Sequence, residues 1–553
     1  MKNIFLLLFF FSTCSSLLAQ NSRDEKQIKK LLKQNPDSLP YKVELAQLYK
    51  AQGKPEEAAK VYENILSTLP REEFKIRTLA NDLYQQQEYD LAAEVFLQGR
   101  KLLENEQLFT FELLSLYRYK RDKNKLMLEY LNALSTMPQM LPQAQTVLSA
   151  MFEGNADYLN LQNALFKKIQ KEPQNESYVR LLIWQYLQQQ EYEMALRQLI
   201  AQDKRTKGDG SILFENVQIF ASNKAYDTAI KAYTYLLSKG TENEYYLPSR
   251  LGMTDARYQQ LLLGKNEPAE IIALADEYRA ILKEYGTNTR TLFALKKLAS
   301  IEAYYLHHLD KAQEALETAL TIPGIYPAEM GEIKLELGDI YVLNQQPWEA
   351  LLSYGQVAEM FENQNIGNEA KYRSARLSFY QGNFTYAKSQ LDVLKASTEQ
   401  LIANDAMDLS LLLTDHLETG NDTLALKMYA AAELLQFRGM NKAALAKLDS
   451  IPLRYPQHNL ADDILMSKSR ILIKNKDYTA AAALLKELIA HPVQNNWTDD
   501  AVFILAGLYE EQLNESEQAK VLYQKLINEF PGSMFTAEAR KRYRKLRGDN
   551  IES

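Results

Sequence analysis

Catalysis and metal binding need groups that titrate, ligate or attack, and this chain places few of them in usable arrangements. Its five histidines are His307, His308, His416, His458 and His491. None forms a His-Glu-x-x-His pair or a Cys/His spacing that would hold zinc. His307 and His308 are adjacent, and neighbours on a helix diverge instead of converging on one ion. Carboxylates occur as the pairs Asp462-Asp463 and Asp499-Asp500. Each pair stands where a helix should begin, where negative charge suits the helix dipole, so they read as helix-start residues and not as an acid and a base. Glycine is only 20 of 553 residues, and no Walker-type loop, Gly-x-Ser-x-Gly elbow or calcium-loop signature occurs. No catalytic residue, cofactor site or metal site is assigned.

Two other residue classes suit binding. The chain has 34 tyrosines and three tryptophans, Trp184, Trp348 and Trp497. Aromatic side chains give large contact area at low entropic cost, though three tryptophans are too few for a dedicated sugar-stacking surface. Near the C-terminus stand Arg540, Lys541, Arg542, Arg544, Lys545 and Arg547. Arg540, Arg544 and Arg547 are candidate contacts for an acidic partner or anionic headgroups. The competing role is a polar end cap whose cations suit a helix C-terminus. A net charge of −7 argues against nucleic acid as a bulk electrostatic partner.

The elements that must position these groups follow from a period. Ala58, Ala92, Ala195 and Ala229 recur at 34 residues or its multiples, give or take one, with Leu126 and Leu161 at the two steps between. A small residue at that spacing is what two closely packed antiparallel helices need at their crossing point. In the first unit Ala46 and Tyr49 fall on helix A, Gly53 in the turn, Ala58 and Tyr62 on helix B, and Pro70 at the close. Later units repeat the wording with Tyr89, Ala92 and Phe96, then Tyr192 and Ala195, then Tyr226, Ala229 and Tyr233. Each closing proline ends a helix, since it lacks an amide hydrogen and clashes with the preceding turn.

Beyond residue 240 the register loosens. The small positions become Ala275, Ala312, Ala350, Ala387, Ala444, Ala481 and Ala519, mostly 37 or 38 residues apart. Within Lys334–Val357 the pattern is clear again, with Gly338, Tyr341, Ala350 and Tyr354. Ala387 to Ala444 is 57 residues, too long for one pair, and an extra helix is expected over Leu401–Leu417. A last helix should stop at Gly548. The expected organisation is a signal peptide at 1–20, a 34-residue-register array at 21–240, longer irregular pairs at 241–325, and a second array with its capping helix at 326–547.

These offsets resemble the tetratricopeptide repeat (TPR) family over roughly residues 36–547. The resemblance implies an all-α fold, a right-handed α-α superhelix of about 12–13 helix pairs, in which each pair contacts only its neighbours. The later units, with the Phe-Pro-Gly-Ser turn at Phe530–Ser533, resemble envelope TPR proteins of the BamD and CpoB types. In such arrays helix A lines the concave surface. Its inward offsets here include Tyr84, Tyr119, Trp184, Phe214, Tyr304, Tyr305, Tyr372 and Phe379, the candidate groove for a protein or peptide partner. Some TPR proteins clamp a peptide carboxylate through Lys, Asn and Arg on successive A helices. Arg77 and Asn81 match two such offsets, but Phe111, Ser115, Gln145 and Ser149 occupy the next ones, so the clamp is incomplete.

Met1–Gln20 carries Lys2, an apolar run Ile4–Phe11 and then small and polar residues. This is secretory-signal architecture, and the run is shorter than the ~20 residues of a membrane span. Cleavage is expected after Ala19 or Gln20. Lipoprotein processing at Cys14, the single cysteine, is the lesser alternative, because Phe11-Ser12-Thr13 is a poor lipobox. The expected function is a non-catalytic exported scaffold or adaptor, free in the periplasm or associated with the outer membrane, serving outer-membrane assembly or secretion. The alternative is a chaperone-like receptor for exported polypeptides.

Overall fold

The computed structural model describes residues 24–263, 268–395, 400–417, 423–490 and 497–549. The expected leader, with Cys14, Ala19 and Gln20, lies outside the described residues, as does His491. Among the described residues every regular element is helical, comprising 29 α-helices and a 3₁₀ turn at Pro138–Met140.

The chain divides into two compact units between Ala256 and Arg257. In the first, α1 (Glu25–Gln34) precedes six helix pairs. These are α2/α3 (Leu39–Ala51, Pro55–Ser67), α4/α5 (Glu73–Gln85, Tyr89–Leu102) and α6/α7 (Thr110–Tyr119, Lys123–Ala133). There follow α8/α9 (Leu141–Met151, Asn155–Lys171), α10/α11 (Glu176–Gln188, Tyr192–Thr206) and α12/α13 (Ser211–Ser222, Tyr226–Leu237). The division falls within α14 (Tyr246–Leu263), whose partner is α15 (Pro268–Tyr285). Both have 18 residues, and this extra length accounts for the long step between Ala229 and Ala275.

The second unit continues with α16/α17 (Leu292–Tyr304, Leu309–Leu320), α18/α19 (Pro327–Leu343, Pro347–Met360) and α20/α21 (Asn365–Tyr380, Phe384–Leu394). A lone helix, α22 (Gln400–Leu417), sits where the sequence demands an extra one. After it come α23/α24 (Thr423–Phe437, Asn441–Arg454), α25/α26 (Ala461–Lys474, Tyr478–Ala490) and α27/α28 (Thr498–Glu511, Ser516–Glu529). The terminal α29 (Thr536–Arg547) stops at Gly548, whose φ of 86° gives the left-handed cap.

Packing follows the small-residue period. Ala58, Ala92, Ala195, Ala229, Ala275, Ala312, Ala350, Ala387, Ala444, Ala481 and Ala519 are all 0% exposed. Leu126 and Leu161, at the two irregular steps, are buried as completely. Four residues on, the same face of helix B buries a larger side chain, such as Phe96, Tyr130, Tyr233, Tyr354 or Tyr523. The fit is tightest where such a ring meets glycine on an A helix. A Cβ at Gly338 would lie 2.3 Å from Tyr354 Cε1, and one at Gly252 would lie 2.4 Å from Tyr233 Cζ. In the first unit most of these contacts join into one core running from Val43 to Ala256, while Ile28, Leu45, Ala46, Tyr49 and Ala58 form a smaller cluster at its N-terminal end.

The A-to-B turn is also repeated. Its residue just past helix A takes a left-handed conformation, at φ 71° for Gly53, 64° for Gln87, 53° for Arg121, 57° for Gln190, 61° for Lys224 and 62° for Gln345. The following amide then reaches back to helix A, as in Lys54 N to Tyr49 O at 2.8 Å and Ala225 N to Phe220 O at 2.9 Å. Most of these residues are not glycine, so each carries a backbone cost of about 1–2 kcal/mol. Lys224 is exposed. Lys224→Gly should therefore stabilise the first unit by about 1 kcal/mol, seen as a higher urea midpoint. A lowered midpoint would contradict this account of the turn.

Candidate functional site

In the first unit the A helices α2 and α4 bound a groove of about 780 Å³, lined by Leu39, Val43, Gln47, Phe74 and Leu79 among others. Phe74 begins α4 and is 78% exposed, and Phe111 holds the same place on α6 at 63%. Tyr119, at the end of α6, is 61% exposed. It forms a ring trio with Tyr84 and Tyr89. Centroids lie 6.0 Å apart for Tyr84–Tyr119, 5.2 Å for Tyr84–Tyr89 and 4.9 Å for Tyr89–Tyr119. Trp184 stands apart from that trio, 6.2 Å from Tyr158, and Phe214 packs 5.0 Å from Tyr245. Arg77 is committed elsewhere, to Glu73 at 3.0 Å and Glu112 at 2.8 Å. That pairing leaves no free cation for a carboxylate clamp at this position.

In the second unit Tyr304 and Tyr305 diverge, as adjacent residues must. Tyr304 is 43% exposed, whereas Tyr305 packs edge-on against Tyr258 at 6.0 Å. Phe379 is 1% exposed, packs against Tyr380 and Phe384, and contributes to the floor of a pocket. Tyr372 faces the same pocket. On the terminal helix, Arg542 is tied to Glu510, Glu511 and Glu538, and Arg547 pairs with Asp549. Arg540 and Arg544 are left on the exposed face.

That pocket, of about 310 Å³, exists because of the inserted helix. One wall comes from A helices, with Tyr372, Arg376 and Tyr380 on α20, Tyr429 and Glu433 on α23, and Arg470 on α25. The facing wall is α22, through Asp405, Asp408, Leu409 and Leu412. A buried polar chain pins α22 in place. His416 Nε2 lies 3.2 Å from Asp463 Oδ2, and Trp497 Nε1 donates to Asp463 Oδ1 at 2.8 Å. Asp463 does sit in the first turn of α25, as its sequence position implies, but it also holds α22 and Trp497 together. Among the described residues no cluster of His, Cys, Asp and Glu could hold a metal ion.

Sequence reasoning missed Arg376, Asp405, Asp408, Glu433 and Arg470. The available signals were the 57-residue gap between small positions and the charged residues at inward offsets of α20 and α25. Burial pushes the carboxyls of Asp405, Asp408 and Glu433 above the usual range.

Asp500, in the first turn of α27, is raised to about 6 by burial, with Asp499 beside it adding to the effect. An unfolded aspartate titrates near about 3.9. The folded state therefore holds this proton more tightly, so its stabilising contribution is full below about pH 4 and is lost as pH rises through about 6. Asp500→Asn should stabilise the second unit near pH 7 by about 1 kcal/mol, allowing for partial exposure. The gain should vanish below about pH 4. Thermal melts at both pH values check this, and an equal gain at both would contradict it.

A profile for the tetratricopeptide repeat matches residues 500–533, which span α27 and α28. No curated protein matches the chain. Among solved structures, a tetratricopeptide repeat protein from Parabacteroides merdae is 14% identical, covering 53% of this chain and 97% of that one at a TM-score of 0.30. The structure of Naa15/Naa10 bound to HypK-THB is 15% identical, covering 95% and 93% at a TM-score of 0.26. At these TM-scores neither likeness adds weight. The family match makes α27 and α28 a tetratricopeptide repeat, and the same pair packing around a buried small residue recurs through the preceding helices.

Proposed function

We propose that this chain is a non-catalytic exported scaffold or adaptor of the bacterial cell envelope, serving outer-membrane assembly or secretion. It would hold partner proteins or peptides along its A helices. Tetratricopeptide arrays mediate protein–protein interactions through surfaces of stacked helices. The observation that carries the reading is the set of side chains left uncovered on the A helices. Phe74 lines a groove of about 780 Å³ and, like Phe111 and Tyr119 on the next A helix, is more than half exposed. Exposed aromatics of this kind are typical anchors for a partner chain. The export reading is supported by Lys2 followed by the apolar run Ile4–Phe11.

Affinity purification from native envelopes with quantitative mass spectrometry tests this. One or two partners at constant ratio are expected, and they should be lost on replacing Phe74 and Tyr119 by Ser. A broad, substoichiometric client spectrum would favour a chaperone-like receptor instead. No protein partner would contradict both. A Cys14→Ser control should leave localisation unchanged, and loss of membrane association would establish lipoprotein processing.

A further inference from the structure

The outward face of the B helix α19 departs from the pattern of its counterparts. On a B helix, the positions two before, two after and five after the buried alanine point away from the partner helix. In α3 they are Glu56, Lys60 and Glu63, and in α17 they are Asp310, Glu314 and Glu317, all exposed. Around Ala350 in α19 they are Trp348, Leu352 and Gly355, exposed as well. Trp348 is 73% exposed and Leu352 63%, and a Cβ at Gly355 would meet nothing within 4 Å. Glycine in an exposed helix interior is less stable than alanine, and a tryptophan left in water forgoes the burial that its area offers. Three unfavourable choices on one stripe mark a surface that is covered in use.

Its chemistry narrows what covers it. No lysine or arginine occurs in α19, and Glu349 and Glu359 edge the stripe, so anionic lipid headgroups are repelled. The stripe is, however, complementary to itself. Trp348 and Gly355 are two helical turns or about 10 Å apart, with Leu352 between them. Take a two-fold axis perpendicular to the helix, passing between Leu351 and Leu352. Rotation about it sets Trp348 of each copy over Gly355 of the other and joins the two Leu352 side chains at the axis. The bare glycine lets the ring and the helix behind it approach closely, the same steric device that closes each helix pair inside the chain. The rotation brings neither Glu349 nor Glu359 opposite itself or the other. On the next B helix, α21, Tyr386 and Val393 are also more than half exposed and add apolar area.

We propose that the chain pairs with a second copy of itself through α19, in an antiparallel two-fold crossing in which Trp348 of each copy covers Gly355 of the other. A contact of this kind uses the same patch on both copies and closes on itself, so assembly stops at two. Tryptophan seated centrally in such a contact is a typical anchor. The A helices stay uncovered, and the pair carries two of every surface they present. The pairing does not depend on the scaffold reading.

Sedimentation velocity of the full chain, from nanomolar to high micromolar concentration, reads the stoichiometry. A monomer–dimer equilibrium with no larger species is expected. Trp348→Ala and Leu352→Asp should each weaken it at least tenfold. Gly355→Leu fills the socket on a face where nothing inside the chain clashes with it. It should weaken pairing as much, while the dilute monomer melts at the same temperature or higher by circular dichroism. In a Cys14→Ser background, Leu352→Cys should form a disulfide between copies under mild oxidation. Glu359→Cys, two turns from the axis on each copy, should not. A monomer at every concentration would overturn the pairing, as would a dimer that all three substitutions leave intact. Open-ended growth would overturn the two-fold closure, and disulfide formation through Glu359→Cys but not Leu352→Cys would overturn the antiparallel crossing. A monomer that crosslinks to a different envelope protein, from a photoreactive phenylalanine at Trp348, would assign the face to that protein and overturn the pairing.

Discussion

The rest of this molecule depends on how closely two helices can approach at one crossing point per pair. At that point the chain places alanine eleven times, and every one of those alanines is fully buried. The B helix then presents its next inward residue, often tyrosine or phenylalanine, to the space between pairs. Gly338 and Gly252 are the extreme cases, with a tyrosine ring where a Cβ would be. Close approach is what aligns each A helix beside the next. Once that spacing is set, the outward face of helix A is free of packing duty and can carry residues of any chemistry.

The division of labour explains what could be read from the sequence. The small-residue period has a strict steric cause, so it placed the pairs, the extra helix over Leu401–Leu417 and the stop at Gly548 close to where they stand. The turns were less visible, because Gln87, Arg121, Gln190 and Lys224 adopt a conformation that sequence reasoning assigns to glycine. Helix length and the Schellman-type hydrogen bond impose that conformation whichever residue is present. Aromatic residues were legible as a class but not by position. Tyr119 is on the surface and Phe379 is in the core, yet both sit at inward offsets of A helices, and only the neighbouring repeat decides which is covered.

The charged pocket of the second unit was the least legible feature. Its members come from α20, α22, α23 and α25, separated by almost a hundred residues along the chain. Asp405 and Asp408 look like ordinary solvent-facing charges of an amphipathic helix. Their meaning depends on the side of the array against which that helix packs, which the His416–Asp463–Trp497 chain fixes. A register break in a repeat array is therefore informative in itself. Here it marks the place where an added helix gives a continuous face a second wall.

The central claim is that partners meet the A helices and not the B helices. In-cell photo-crosslinking tests it most directly, with a photoreactive phenylalanine placed singly at Phe74 or Tyr119 on A helices and at Leu453 or Val521 on B helices. All four positions are well exposed, at 78%, 61%, 82% and 67%. Discrete adducts to the same partner from Phe74 and Tyr119, with none from Leu453 or Val521, are predicted. Adducts from Leu453 and Val521 alone would contradict the account and move recognition to the opposite face of the repeats.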